Sequence, residues 1–487
     1  MKQLDELILH TPILSVTGSP KKEVAHLIYD SRHIGAGDCF FAISGVQSDG
    51  HQFISAALAA GAHSVICQQL PTTIDPAVCY VVVADTNAAM ADMAAAFYDD
   101  PSRELKLVGI TGTNGKTTTV TLLYDLFRAL GYQTGLISTV VYCIGDHGIE
   151  STHTTPDTIR LNEMMREMVD AGCQYCFMEV SSHAIVQERI RGLHFIGGIF
   201  SNITHDHLDY HKTFAAYIRA KKLFFDQLPA EAFALVNIDD RNGRVMVQNT
   251  RATVKTLSLQ TLADFRCKIV ETHVDGMQLR MEGHELWVKL LGRFNAYNLL
   301  SVYGAAILLG ADQAEVLRIL STLHAVSGRF EYVLAPDGTT AIVDYAHTPD
   351  ALENVIRTIE EIRRPGQQLF VICGCGGDRD QTKRPEMAQI AVKYADTAIF
   401  TADNPRHEAP EVILDQMIAG LQPTDRYLRI VDRAQAIRTA VMQAKAGDLI
   451  LIAGKGHENY QIVGDVKHHF DDKEVVGQLF SALHPAK

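Results

Sequence analysis

Between Leu107 and Thr119 the chain reads Leu-Val-Gly-Ile-Thr-Gly-Thr-Asn-Gly-Lys-Thr-Thr-Thr, and no other stretch limits the fold so tightly. Leu107 to Ile110 is an apolar strand ending, Gly112 to Gly115 a turn, and Lys116-Thr117 the opening of a helix. Val120, Leu122, Leu123, Leu126, Phe127 and Leu130 recur on the buried side of that helix, which stops at Gly131. Strand, glycine-rich turn and helix amino terminus together make an anion site. Glycines (Gly112, Gly115) admit backbone N–H groups to phosphate, the helix dipole favours negative charge, Lys116 bridges phosphates and a threonine hydroxyl holds Mg²⁺. The spacing departs from G-x-x-x-x-G-K-[ST], because Gly109 lies one residue too far from Gly115-Lys116. A glycine turn with a surface lysine is the bland alternative; the flanking strand and helix favour a nucleoside triphosphate.

The remaining sequence supplies the body around that site. Its 487 residues are enough for about three α/β domains. The net charge of −13 argues against nucleic-acid binding, since no basic face offsets it, but leaves room for an anionic substrate in a locally basic cleft. No apolar run approaches a membrane span, and the amino terminus lacks a signal peptide's apolar core. Nine scattered cysteines suit free thiols in a reducing cytoplasm, and neither Cys173/Cys176 nor Cys373/Cys375 has a second pair at zinc-site spacing.

Up to about residue 100 the chain reads as a small α/β unit, with strands near 39–43, 65–67 and 80–84 and an alanine-rich helix from Phe53 to Ala60. The turns at Asp30-Ser-Arg32 and Gln47-Ser-Asp-Gly-His51 either hold a ligand or merely shape loops. From about 105 to 328, apolar strands alternate with helices, implying a mainly parallel sheet whose strand ends face the ligand. One strand delivers Glu179 beside Ser181-Ser-His183, positioned for Mg²⁺; another delivers His205-Asp-His207, where His205 reads as a second-metal ligand or as part of a solvated loop. Lys221 and Lys222, on a helix from Phe214 to Phe225, look like an ordinary solvated face. Beyond about 330, four strands (340–345, 368–373, 397–402, 448–453) each hand over to a polar or glycine-bearing loop on one edge of one sheet. Arg379 and Arg406 on those loops offer forks that suit carboxylates, or simply pair on the surface.

Thr111-Gly-Thr-Asn-Gly-Lys-Thr-Thr118, Glu179-Val-Ser-Ser-His183, Asn202-Ile-Thr-His-Asp-His207, Gly328-Arg-Phe-Glu331 and Asp344-Tyr-Ala-His347 together resemble the Mur ligases of peptidoglycan synthesis, in order over nearly the whole chain. Asp403-Asn-Pro-Arg406 is similar to the motif of members that add meso-diaminopimelate to UDP-N-acetylmuramoyl-L-alanyl-D-glutamate; members that add L-lysine differ at the position of Arg406. The resemblance implies an amino-terminal domain for the uridine nucleotide (1–104), a central P-loop ATPase-like domain with a parallel sheet (105–328) and a carboxyl-terminal Rossmann-like domain for the amino acid (329–487).

It also implies site residues. Gly112, Thr113, Asn114, Gly115, Lys116, Thr117, Thr118, Asn295, Arg329, Asp344 and His347 fall around ATP. Ser31, Gln47, Ser48, Thr154, Thr155, Ser181, Gln187 and Arg189 match contacts to the UDP-muramoyl-dipeptide. Arg379, Asp403, Asn404, Pro405, Arg406, Gly454 and Glu458 match the diaminopimelate pocket. Two Mg²⁺ ions would be held by Thr117, Glu179, His205 and Lys221, the last as a carbamate, because a bare ammonium would repel the cation. Lys116, Glu179, His205 and Lys221 are the expected catalytic group. The implied protein is a monomeric cytoplasmic ligase that works through an acyl phosphate on small-molecule substrates, with loops of three units meeting over the triphosphate, a hinge at Gly328-Arg-Phe-Glu331 and no nucleic-acid or membrane partner. A folylpolyglutamate synthetase-like ligase and a regulatory phosphate-loop switch are the rivals.

Overall fold

The computed structural model describes residues 1–45, 48–273, 275–422 and 425–483. The phosphate-loop strand Lys106–Thr111 sits in the middle of an eleven-stranded sheet. In spatial order the strands are His147–Glu150, Val141–Ile144, Thr134–Ile137, Tyr175–Glu179, Lys106–Thr111, Phe195–Phe200, Phe233–Asn237, Thr253–Ser258, Phe265–His273, Gly276–Met281 and His284–Val288. From Thr134–Ile137 to Phe265–His273 every pairing is parallel. Alternation along a strand sorts side chains to two faces. Val108 and Ile110 pack beneath the helices Lys116–Ala129 and Arg293–Leu308, while Leu107 packs on the other face with Thr158–Asp170 and Phe214–Asp226.

The reading of the central segment as parallel holds for its core and misses its margins. Antiparallel hairpins extend the sheet at both edges. Their exposed positions carry charged residues, as in Phe265–His273, so the apolar signal is diluted by the solvated face.

In the first unit, four parallel strands (Leu27–Ile28, Cys39–Phe41, Ser64–Cys67, Cys79–Val83) carry an antiparallel margin, Ile13–Thr17. The alanine-rich helix is Ile54–Ala59, entered through a 3₁₀ turn, Gly50–Phe53, whose N-cap Asp49 accepts from His51 N. In the third unit, Thr340–Asp344, Leu449–Ala453, Leu369–Cys373 and Thr397–Phe400 are parallel neighbours, so their carboxyl-end loops share one edge, as the pattern of loops anticipated. Beneath that edge Arg433 forks onto Asp472 with two bonds of 2.7 Å, and its Nη2 also donates to Ala453 O at 3.0 Å. Both side chains are fully buried. All nine cysteines are buried and free, and among the described residues no helix is long and apolar enough to cross a membrane.

Removing one partner of a fully buried ion pair strands the other charge in a low-dielectric interior. Arg433→Met is therefore expected to destabilise the third unit by about 3–5 kcal/mol, seen as an earlier transition in urea unfolding; an unmoved transition would assign the pair no structural weight.

Candidate active site

Gly115 ends the loop with φ of +87°, and a Cβ there would come within 2.4 Å of Asn298 Oδ1. The loop is tied to the next strand's exit: Asn114 N donates to Asn202 Oδ1 at 2.9 Å, and Asn202 Nδ2 returns to Asn114 O at 3.0 Å. Thr113 N donates to Asn202 O, and its hydroxyl bonds Tyr217 Oη at 3.1 Å. Thr117 and Thr118 lie in the buried first turn of the helix. The helix amino terminus opens into a cavity of about 650 Å³.

Two lysines converge on this loop. Lys116 Nζ donates to Gly112 O and Thr113 O, both at 2.9 Å, and Lys221 Nζ donates to the same Gly112 oxygen at 2.7 Å. Burial lowers the pKa of Lys116, against the pull of Glu179 and Asp206. Lys221 falls well below the ordinary lysine range, through burial and then the neighbouring Lys116. The helix face read as solvated thus divides: Lys221 is 1% exposed, while Lys222, one residue on, pairs with Asp226 at 2.6 Å.

Glu179 ends its strand inside the same cavity, 1% exposed. Its Oε1 accepts from Thr139 N at 2.7 Å, while Oε2 has no hydrogen-bond partner among the described residues. A buried carboxylate oxygen left open in this way fits a cation. Among the described residues no three His, Cys, Asp or Glu side chains converge as a ready metal cage. Mg²⁺ typically completes its shell with phosphate oxygens and water, so one carboxylate beside a phosphate loop is compatible with it.

His205 is not among the residues that line this cavity. His205 is half exposed, its Nε2 3.4 Å from Asp380 Oδ2, and it lines a neighbouring recess with Phe214 and Arg241 that shares Thr204, Asp239 and Asp240 with the cavity. His207 lines the cavity with Glu179 and Lys116 instead. His207 takes φ of +53° just before the short helix Leu208–His211, and its ring lies 5.0 Å from that of His183 and 6.1 Å from that of Tyr217. Burial holds its imidazole well below the usual range, and His183, Lys221 and Lys116 add repulsion against the attraction of Asp206. A neutral imidazole is a competent metal ligand. Asn295 is likewise displaced from its expected place. It is buried behind the cavity, donating to Leu291 O and accepting from Asn298 Nδ2 at 3.0 Å, and Asn298 is the residue that faces the loop.

The opposite wall comes from the third unit. Arg329, Asp344 and His347 line the cavity, and Arg329 Nη2 donates to Thr117 Oγ1 at 3.1 Å. Asp344 accepts from Phe330 N and Ala346 N at 2.7 Å each, and burial pushes it up to about 6. His347 is pushed down to about 4 by burial and then Lys383. Asn114 Nδ2 bonds Asp350 Oδ2 at 3.0 Å, again across the two units.

Among the described residues, none from the first unit lines this cavity. Ser31 opens the 3₁₀ turn Ser31–His33, Ser48 is exposed and Gln47 lies outside the described residues. The expected sugar-peptide residues of the central unit instead form one chain of bonds. Thr154 accepts from Thr139; Thr155 Oγ1 donates to Glu179 O at 2.8 Å and pairs with Ser181; Arg189 bonds Thr155 O and Gln187 Oε1, both at 2.7 Å. Tyr29 of the first unit reaches Asp157 at 3.5 Å.

On the third sheet's edge the loops are zipped together by hydrogen bonds. Gly377 N donates to Asn404 O, and Arg406, at φ of +51°, donates from Nη1 to Gly377 O at 2.9 Å. Asn404 Nδ2 donates to Glu458 Oε2 at 2.8 Å, and Asp403 lies buried against Gly454. Pro405 is buried between them, with its carbonyl where a Cβ on Gly377 would stand, 1.9 Å away. Arg379 is exposed at the rim.

Profiles of one family cover most of the chain: a Mur ligase catalytic domain over residues 23–102, a Mur ligase middle domain over 110–306 and a Mur ligase glutamate ligase domain over 328–456. A protein of Cytophaga hutchinsonii named UDP-N-acetylmuramoyl-L-alanyl-D-glutamate–2,6-diaminopimelate ligase is 52% identical over 484 residues, 99% of each chain. This chain belongs to the Mur ligase family. A Bacteroides fragilis protein of the same name is 51% identical, covering 98% of this chain and 99% of that one. A solved structure of a ligase with that name matches over 100% of both chains at 31% identity and a TM-score of 0.70.

Because the Gly115 backbone is left-handed and its missing side chain faces Asn298, Gly115→Ala is expected to weaken nucleotide binding by roughly tenfold or more. Titration calorimetry with a non-hydrolysable ATP analogue reads this directly; unaltered affinity would remove the loop from the nucleotide site.

Proposed function

We propose that this Mur ligase forms an amide between meso-diaminopimelate and the D-glutamyl side-chain carboxylate of UDP-N-acetylmuramoyl-L-alanyl-D-glutamate, with ATP as co-substrate. The observation that carries the reading is a phosphate-loop cavity walled in part by the third unit, whose loops also gather Arg406, Asn404 and Glu458. Diaminopimelate is a zwitterion at each end, so guanidinium forks at Arg406 and Arg379 suit a carboxylate, and Glu458 suits the distal ammonium. The relatives named for this substrate pair lend the same support. We divide the chain at 104/105 and 328/329, with the uridine nucleotide on the first unit, near Ser31 and Ser48, and the muramoyl-peptide along Thr154, Thr155, Ser181, Gln187 and Arg189.

In this reading the substrate carboxylate oxygen attacks the γ-phosphorus of ATP, the bond to the β-phosphate oxygen breaks, and an acyl phosphate and ADP result. Lys116 and the loop's N–H groups stabilise the charge that shifts during transfer. The amine nitrogen then adds to the acyl carbon, loses a proton, and inorganic phosphate leaves. Glu179, His207, Thr117 and a carbamate on Lys221 would hold Mg²⁺, which when bound neutralises the phosphate oxygens. Carbamate formation needs the free amine, and the depressed pKa of Lys221 supplies it: Nζ bonds to the carbon of CO₂ and releases a proton. An acyl phosphate is labile to water, so contact between the two units protects it.

Phosphate release should require UDP-muramoyl-dipeptide and meso-diaminopimelate together, and Arg406→Ala should lose diaminopimelate use while still binding ATP. Release that ignores both substrates would favour a nucleotide-driven switch; stimulation by folates would favour the folylpolyglutamate-type ligase. The two histidines separate cleanly in the same assay. His207→Ala should lower kcat on the order of a hundredfold and raise the Mg²⁺ requirement, whereas His205→Ala should stay within about threefold of the parent. The reverse ranking would return the metal to His205.

A further inference from the structure

Behind Arg406 the loops enclose a knot of charge that the proposed reaction has not used. Lys455 is fully buried. Its ammonium donates to Asn404 Oδ1 at 3.0 Å and to Glu458 Oε2 at 3.2 Å, so it bridges two residues of these loops. Asn404 Oδ1 also accepts from Ile462 N at 3.0 Å, and its Nδ2 returns to Glu458. The side chain of Asn404 is thus fully oriented, with Lys455 and the strand Tyr460–Val463 fixing the oxygen and Glu458 the nitrogen. Asp403 sits beside them, with Oδ2 2.5 Å from where a Cβ on Gly454 would stand.

The charges do not cancel. Arg433 and Asp472 neutralise each other in their bidentate pair. Asp403 and Glu458 then face Lys455 from within and Arg406 at the edge, so that once a substrate carboxylate occupies Arg406 the site is one negative charge in excess. Burial and then Asp403 raise Glu458 above the ordinary carboxylate range, and Lys455 opposes them. The phenols of Tyr345 and Tyr460 and the rings of His347 and His457, also within reach, would be neutral near pH 7, and Lys467 lies over the Tyr460 ring, 4.2 Å from its centroid. One added ammonium would complete the balance.

We propose that Lys455 is a positioning residue for the amino-acid substrate: it anchors Asn404 to Glu458 and keeps Glu458 ionised, so that the site presents a single fixed negative charge to a distal ammonium. The inference rests on the reading of the Arg406 loops as the diaminopimelate site. A purely structural lysine would affect stability and all substrates alike; a positioning lysine affects the amino acid alone. With Lys455 gone, Asp403 and Glu458 would share a proton more readily, and the ammonium would meet a neutral acid.

The test is amino-acid saturation, at a series of pH values, for the parent, Lys455→Met, Glu458→Gln, the double variant and Arg406→Ala. Lys455→Met should raise the KM for meso-diaminopimelate on the order of tenfold to a hundredfold. It should shift the acidic limb of kcat/KM to higher pH, with KM unchanged for ATP and the UDP-substrate. Added to Glu458→Gln, it should raise KM no further, because the charge it serves is gone. The double variant buries no member of that pair alone, so it keeps the comparison available if Lys455→Met does not fold. A parent-like KM and pH limb in Lys455→Met, while Arg406→Ala loses the amino acid, would overturn the role of Lys455. So would a full additional effect in the Glu458→Gln background. An unaffected Arg406→Ala would overturn the reading of the Arg406 loops, and the role of Lys455 with it.

Discussion

Two buried ammonium groups share one carbonyl oxygen, and the site depends on that crowding. Lys116 and Lys221 both donate to Gly112 O, from helices on opposite faces of the sheet. Two like charges at such range in a desolvated setting repel strongly, and burial already disfavours each. Either one amine gives up its proton or anions must enter. Glu179 and Asp206 lie close and offset part of that charge, Glu179 while also accepting from Thr139 N. A triphosphate at the helix terminus, together with a carbamate on Lys221, would relieve the repulsion that remains. Folding supplies the enforcement, since the lysines cannot retreat without dismantling the contacts of Tyr217 and Thr113 around them.

How far the sequence discloses this arrangement depends on whether the information is local. The phosphate loop is legible because strand, turn and helix are contiguous, and the exit of Tyr175–Glu179 beside it follows from parallel pairing. The common edge of four strands in the third unit is legible for the same reason. What is hidden turns on single-residue phase. His205 and His207 differ by two positions in a loop with no repeat to fix which imidazole lines the cavity. Asn295 and Asn298 are one helical turn apart on a helix apolar nearly all round, so periodicity does not choose between them. Lys221 is hidden by chemistry: a buried lysine looks, as a letter, like a solvated one.

The two sites place their charges differently. Lys116 and Lys221 crowd the phosphate loop, in a cavity that carboxylates such as Glu179 and Asp206 also line, while Lys455 meets Glu458 on the amino-acid loops. Tyr345 stands between them, its ring 4.4 Å from the Arg329 guanidinium on one side and 5.0 Å from the His457 ring on the other. In the proposed reaction this polarity solves a selection problem. Diaminopimelate brings two amino groups of nearly equal basicity, and only one is to attack. An amine beside Glu458 keeps its proton, since the carboxylate stabilises the ammonium. An amine that reaches toward Lys116 and Arg329 meets positive potential, which favours the neutral and therefore nucleophilic form. Environment rather than intrinsic pKa would then decide which nitrogen reacts, and the distance between the two sites would set how long the side chain joining those nitrogens must be.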